Sequence, residues 1–145
     1  MQMHRFDAMV LIMGLLMGVL FLPLAAPAAQ ATKTVSLTAK EFSFTPASVT
    51  LKVGQRVALK LTNEGTVNHE FLSTILNAAK DVEIKVDDVR VAAGKVEEVE
   101  FAPRRTVIVE FTPLKAGKFA FWCAEQTNGK LHRDLGMKGT LTVGR

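Results

Sequence analysis

Most of the chain is written in short runs that alternate apolar and polar residues, each closed by a turn signal. Val57-Ala58-Leu59-Lys60-Leu61 and Val107-Ile108-Val109-Glu110-Phe111 show the period of two that buries one face of a strand. Residues 34–39, 48–52, 56–62, 70–73, 96–101, 106–111, 118–123 and 139–143 are rich in Val, Leu, Thr and Phe and read as strands. Gly54, Asn63-Glu64-Gly65, Gly94, Pro113 to Gly117 and Asn128-Gly129 punctuate them. Residues 75–88 read less regularly, as a short helix followed by a strand over 82–86. The pattern predicts an all-β fold, a Greek-key β-sandwich of about seven to eight strands. It contains no repeat and no internal domain boundary.

The first 31 residues are of a different kind. Arg5 supplies a positive start, residues 10–22 are apolar apart from Gly14 and Gly18, and Ala29-Gln30-Ala31 fits the small-x-small cleavage rule. The apolar run is shorter than the ~20 residues a spanning helix needs, and Pro23 and Pro27 break the helix beyond it. Residues 1–31 are therefore expected to be a secretion signal, and residues 32–145 a single domain. That domain is expected in the periplasm or secreted, with no stable membrane span after cleavage.

Beyond residue 31 there remain one cysteine, two histidines and one methionine, in the order His69, Cys123, His132, Met137. The last three fall within fifteen residues. In an oxidising compartment a lone cysteine pairs with another chain, fills a core or binds a metal. One thiolate, two imidazoles and a thioether are the ligand set of a mononuclear blue-copper electron-transfer centre. In a sandwich, one strand end and the loop after it can supply Cys123, His132 and Met137, while the distant His69 closes the site. The electron is expected to leave through the His132 imidazole near the surface.

Other chemistries find little support. A net charge of +4 says little about nucleic acid. No glycine-rich phosphate loop, serine nucleophile motif or zinc-type cysteine pair is present. Lys115, Lys118, Lys130, Arg133 and Lys138 surround the ligand segment. They form either an ordinary solvated surface or a docking face for an acidic redox partner.

Several segments resemble the cupredoxins. Glu41-Phe42-Ser43-Phe44-Thr45-Pro46 with Val49-Thr50-Leu51-Lys52-Val53-Gly54 is similar to that family's opening strands. Asn63 to Phe71 is similar to the segment bearing its first histidine. Ala116 to Cys123 and Gly136 to Leu141 are similar to its cysteine strand and closing loop. The resemblance implies a cupredoxin-like sandwich holding one copper ion that cycles between Cu(I) and Cu(II). It makes His69 and His132 the equatorial nitrogen ligands, Cys123 the equatorial thiolate and Met137 the axial ligand. It also assigns Asn68 a hydrogen bond tying the His69 loop to the Cys123 loop.

The chain departs from the simple members of that family in one place. Eight residues separate Cys123 from His132, a longer interval than theirs. The segment is similar in length to the binuclear copper loop of cytochrome oxidase subunit II, where a second cysteine would stand at Thr127. A threonine hydroxyl cannot replace a bridging thiolate, so a mononuclear site is expected, with Glu125 as an alternative carboxylate or carbonyl ligand. The function implied is a monomeric one-electron carrier, not an enzyme. Two alternatives stand beside it. One is copper-dependent metal oxidation or a metal-uptake accessory role, using acids among residues 81–88 and 97–100. The other is a copper chaperone or store.

Overall fold

The structure, a computed structural model, describes residues 31–145. All of the expected secretion signal except Ala31 thus lies outside the described residues. Among the described residues no helix is long and apolar enough to cross a membrane.

Among the described residues the fold is all-β, as the alternation requires. Thirteen strands form: β1 (Lys33–Lys40), β2 (Ser43–Thr45), β3 (Ser48–Lys52), β4 (Val57–Asn63), β5 (His69–Ser73), β6 (Ala79–Val86), β7 (Val89–Ala92), β8 (Glu98–Phe101), β9 (Thr106–Pro113), β10 (Gly117–Trp122), β11 (Gln126–Thr127), β12 (Lys130–Leu131) and β13 (Lys138–Gly144). The count exceeds the expected seven to eight because β6, expected in part over 82–86, and the short β2, β7, β11 and β12 add to the eight legible ones. One sheet runs β2-β1-β4-β9-β6-β7, a second runs β3-β13-β10-β5-β8, and β11-β12 form a small ribbon. Strand β1 is parallel to β4, and β3 is parallel to β13. The irregular 75–88 region resolves into a single 3-10 turn, Thr74–Ala78, followed at once by β6. Ser73 accepts from the Ile75 N–H to start that turn, and Ile75 and Leu76 are buried beneath it.

Period-two alternation aims one side of each main strand inward. Val57, Leu59 and Leu61 of β4 meet Val107, Val109 and Phe111 of β9 across the first sheet, all buried. From the second sheet come Phe71, Phe121, Leu141 and Val143. Phe71 stacks on Phe121 with ring centroids 5.6 Å apart, and Phe44 meets Phe121 edge-on at 5.3 Å. The same period places His69 on the face of Phe71, and Cys123 on the face of Phe121. Both candidate ligands therefore project inward at the end of an aromatic core.

On the outer face of the first sheet Glu110 accepts from Lys85 and from Arg56, the latter at 2.9 Å. The Lys85 hydrogen bond is the main cause holding the Glu110 carboxyl below the usual carboxylate range, with Arg56 adding to it. A depressed folded-state pKa gives stability that is present above the ordinary carboxylate pKa, about 4.3, and lost as pH falls through the lower folded value. The urea midpoint should therefore fall on acidification below about pH 4, and Glu110→Gln should lower the neutral-pH midpoint while flattening that fall. An unchanged acid slope in the variant would remove Glu110 from the account.

Candidate metal centre

His69, Cys123 and His132 meet at the end of the aromatic core. One donor atom from each lies within 4.8 Å of the other two. His69 opens β5 and is fully buried, and neither of its ring nitrogens has a hydrogen-bond partner among the described residues. Two orphaned polar atoms in a core are costly and call for a ligand. Cys123 directly follows β10 and is also fully buried. His132 follows β12, with Nδ1 3.4 Å from Cys123 Sγ and its ring centroid 5.3 Å from that of His69. A thiol and two imidazoles converging in this way fit one soft cation.

Met137 is fully buried in the same loop. Its N–H donates to the His132 carbonyl at 3.0 Å, and its carbonyl accepts from Cys123 N–H at 3.1 Å. Its backbone is thus tied to two of the three clustered residues.

Burial sets the protonation states. It pushes both imidazoles below their ordinary pKa, and the neighbouring His132 charge lowers His69 further. Neutral imidazoles carry the lone pair a metal needs. Burial also raises the Cys123 thiol, opposed by backbone N–H groups of Glu70 and Glu125. The Glu70 N–H lies 3.3 Å from Sγ, where it would stabilise a thiolate.

The link expected from Asn68 is made by other groups. Asn68 is exposed, and its side chain donates to Glu100 at 2.7 Å rather than to the cysteine loop. The Glu70 N–H joins the two loops instead. The organising amide is Asn63, fully buried, which donates to the Val67 and Phe101 carbonyls at 2.8 and 2.9 Å and accepts from Gly65 N–H at 2.8 Å. Glu41 braces the same loop by accepting from the Thr66 N–H and hydroxyl. Those bonds, the backbone one foremost, hold its carboxyl down to about 2. Glu125 is half-buried, and its carbonyl accepts from His132 N–H at 2.8 Å. Its carboxylate lies outside the donor cluster found among the described residues.

His132 is not at the surface, contrary to the expectation for an electron exit. It is 1% exposed. Phe42 covers it with a centroid separation of 4.6 Å, and Thr127 Oγ1 lies 2.8 Å from Nε2. The long loop folds back as the β11–β12 ribbon around Asn128 and Gly129, both at positive φ, the Asn-Gly pair that two-residue hairpins favour. Asn63, Glu41, Phe42 and Thr127 were not identifiable as site residues from sequence. The Asn-x-Gly turn signal at 63–65, the Glu41–Pro46 segment and the long interval containing Thr127 marked their stretches of chain, but not these contacts.

Residues 12–143 match the family described as the cupredoxin-like domain. No curated protein sequence matches the chain. Among similar solved structures is a dithionite-reduced auracyanin from the photosynthetic bacterium Roseiflexus castenholzii, at 18% identity and TM-score 0.56, covering 79% of this chain and 99% of that one. Auracyanin A of Chloroflexus aurantiacus, described as a "blue" copper protein, is 20% identical, with TM-score 0.52 and coverage of 79% and 100%. A Campylobacter jejuni multicopper oxidase aligns at 14% identity and TM-score 0.53, over 79% of this chain but 30% of its own. At these identities the structural likenesses establish a shared fold.

Proposed function

We infer, since this chain belongs to the cupredoxin-like domain family, that it binds one copper ion, which His69, Cys123 and His132 would hold with Met137 as a further thioether donor, and that it carries single electrons between redox proteins. The observation that supports this reading is the convergence of one thiol and two imidazoles within 4.8 Å, all buried, with both His69 nitrogens unpartnered. The site of action on this reading is the periplasm or the cell exterior, and the partner presents an acidic face to Lys130, Arg133 and Lys138, which are exposed around the ligand loop.

Bound copper would supply a one-electron couple between Cu(I) and Cu(II). The chain's part is to hold a geometry acceptable to both states. Asn63 and Glu41 brace the His69 loop, the Glu70 N–H bonds the sulfur, and Met137 is bound through its backbone to Cys123 and His132. The buried donors exclude water, so little solvent has to reorganise when charge changes. Of the acids weighed for a second metal site, Asp81 pairs with Lys80, Glu83 with Arg56 and Arg90, and Glu97 with Lys95. The thiol and two imidazoles clustered in the core favour electron carriage over metal oxidation.

The test is one equivalent of Cu(II) added to the chain, followed by visible absorption and EPR. An intense thiolate-to-copper band, bleached and restored by mild reductant and oxidant, is the expected result. Copper bound without that band, or consumed in oxidising Cys123, would refute the proposal.

A further inference from the structure

His132 presents two nitrogens to two different partners. Nδ1 faces Cys123 Sγ at 3.4 Å, whereas Nε2 faces the Thr127 hydroxyl at 2.8 Å. A neutral imidazole carries one N–H and one lone pair, and a threonine hydroxyl can either donate or accept. Two arrangements are therefore open to the pair. If Thr127 donates to Nε2, the ring proton sits on Nδ1 and blocks the side where the donor atoms converge. If Thr127 accepts from Nε2–H, the Nδ1 lone pair points into the cluster.

The scaffold holds Thr127 for this contact. It lies on β11, paired with Lys130 of β12 across the Asn128–Gly129 turn, and Gln126 pairs with Leu131 beside His132. The His132 N–H is fixed on the Glu125 carbonyl at 2.8 Å. With the ring 1% exposed, bulk water has little access to compete for Nε2.

We propose that Thr127 is a positioning residue of the metal centre: its hydroxyl oxygen accepts the Nε2–H of His132 and so fixes the tautomer whose Nδ1 lone pair faces Cys123 and His69. This rests on the reading of His132 as a copper ligand. A hydrogen bond on the far nitrogen orients a ligating histidine and raises its basicity, and losing such a partner typically weakens metal binding by about 10–100-fold. The longer loop acquires a purpose on this account, since it returns a hydroxyl to the back of a buried ring.

The experiment compares the chain with Thr127→Val, which keeps the β-branched shape without the hydroxyl, and Thr127→Ser, which keeps the hydroxyl. Nitrogen-15 NMR of the histidine rings reads the tautomer without metal, and competition with a Cu(I) chelator reads affinity. The unaltered chain and T127S should show His132 protonated on Nε2. T127V, with its amide spectrum still dispersed, should show an Nδ1-protonated fraction and roughly 10–100-fold weaker Cu(I) binding. An Nδ1–H tautomer in the unaltered chain overturns the proposal, as does a T127V indistinguishable from it in both readouts. A separate His132→Ala variant tells the two failures apart. If it keeps the copper spectrum, His132 is no ligand and the functional reading itself falls; if it loses the spectrum while T127V matches the unaltered chain, only the role of Thr127 falls.

Discussion

Replacing Cys123 with serine should abolish the thiolate-to-copper absorption band completely and remove reversible one-electron cycling with it. The thiolate is the donor that distinguishes blue copper from a site of imidazoles and oxygen. A serine hydroxyl has a far higher pKa than a thiol and remains protonated at neutral pH, so Cu(II) would meet two neutral nitrogens and a weak oxygen donor. Affinity should fall steeply, and any residual copper should give an EPR signal of ordinary tetragonal type. The fold should survive, because serine is only slightly smaller and the Glu70 N–H, 3.3 Å from Sγ, is placed to bond its oxygen. Trp122 is the single tryptophan of the chain and sits next to the substitution, so its fluorescence reports folding in the same sample. A variant that is folded and still intensely coloured would remove Cys123 from the site. A folded, colourless variant is the expected outcome.

The fold was legible where a strand buries one face. Val57, Leu59 and Leu61 lie at every second position because each meets the core, and the eight strands read from such patterns all formed, with ends shifted by a residue or two. The elements that were missed are too short or too exposed to write a period: β2 buries only Phe44. All four residues of β7 are exposed, and β11 and β12 contain two residues each. They exist through backbone pairing with a neighbour, which any side chain permits. Strand β6 was read only from Val82 because its register shifts between Lys80 and Glu83, with Asp81 at positive φ, and a bulge of this kind breaks the alternation.

The site divides in a similar way. The convergence of His69, Cys123 and His132 was legible because the chain beyond residue 31 is almost empty of soft ligands. Their supports were not. Asn68 stands beside His69 and drew attention by proximity, yet it points to Glu100, while Asn63 is buried and organises the loop from its start. Phe42 and Thr127 approach His132 from segments whose meeting depends on the whole topology. No spacing rule announces such a contact, and so the burial of His132 could not be anticipated.

Replacing Gly139 with alanine should cost the fold about 3 kcal/mol or more, the upper range for an overpacked core, and lower the melting temperature by roughly 10 °C. A Cβ at this position would lie 2.2 Å from Phe121 Cζ and 2.4 Å from the Ala47 carbonyl oxygen. Neither neighbour can retreat easily. Phe121 is fully buried between Phe71 and Phe44, and the Ala47 carbonyl accepts from Thr140 N–H at 2.9 Å. Relief would require β13 to move away from β10 or from the β3 edge. Gly94→Ala is the control, since nothing lies within 4 Å of a Cβ there, and it should stay within about 0.5 kcal/mol of the unaltered chain. Thermal melts of the three chains without metal would decide the matter, and a G139A that melts beside the control would show that the strands yield. The strain also has a direction. Gly139 lies two residues beyond Met137, and Phe121 two residues before Cys123, so forcing β10 and β13 apart pulls on both ends of the ligand loop. Copper should then stabilise G139A by less than it stabilises the unaltered chain at the same free-metal concentration, since that increment follows the affinity. Equal stabilisation would mean that the ligand loop keeps its geometry independently of the sheet beneath it.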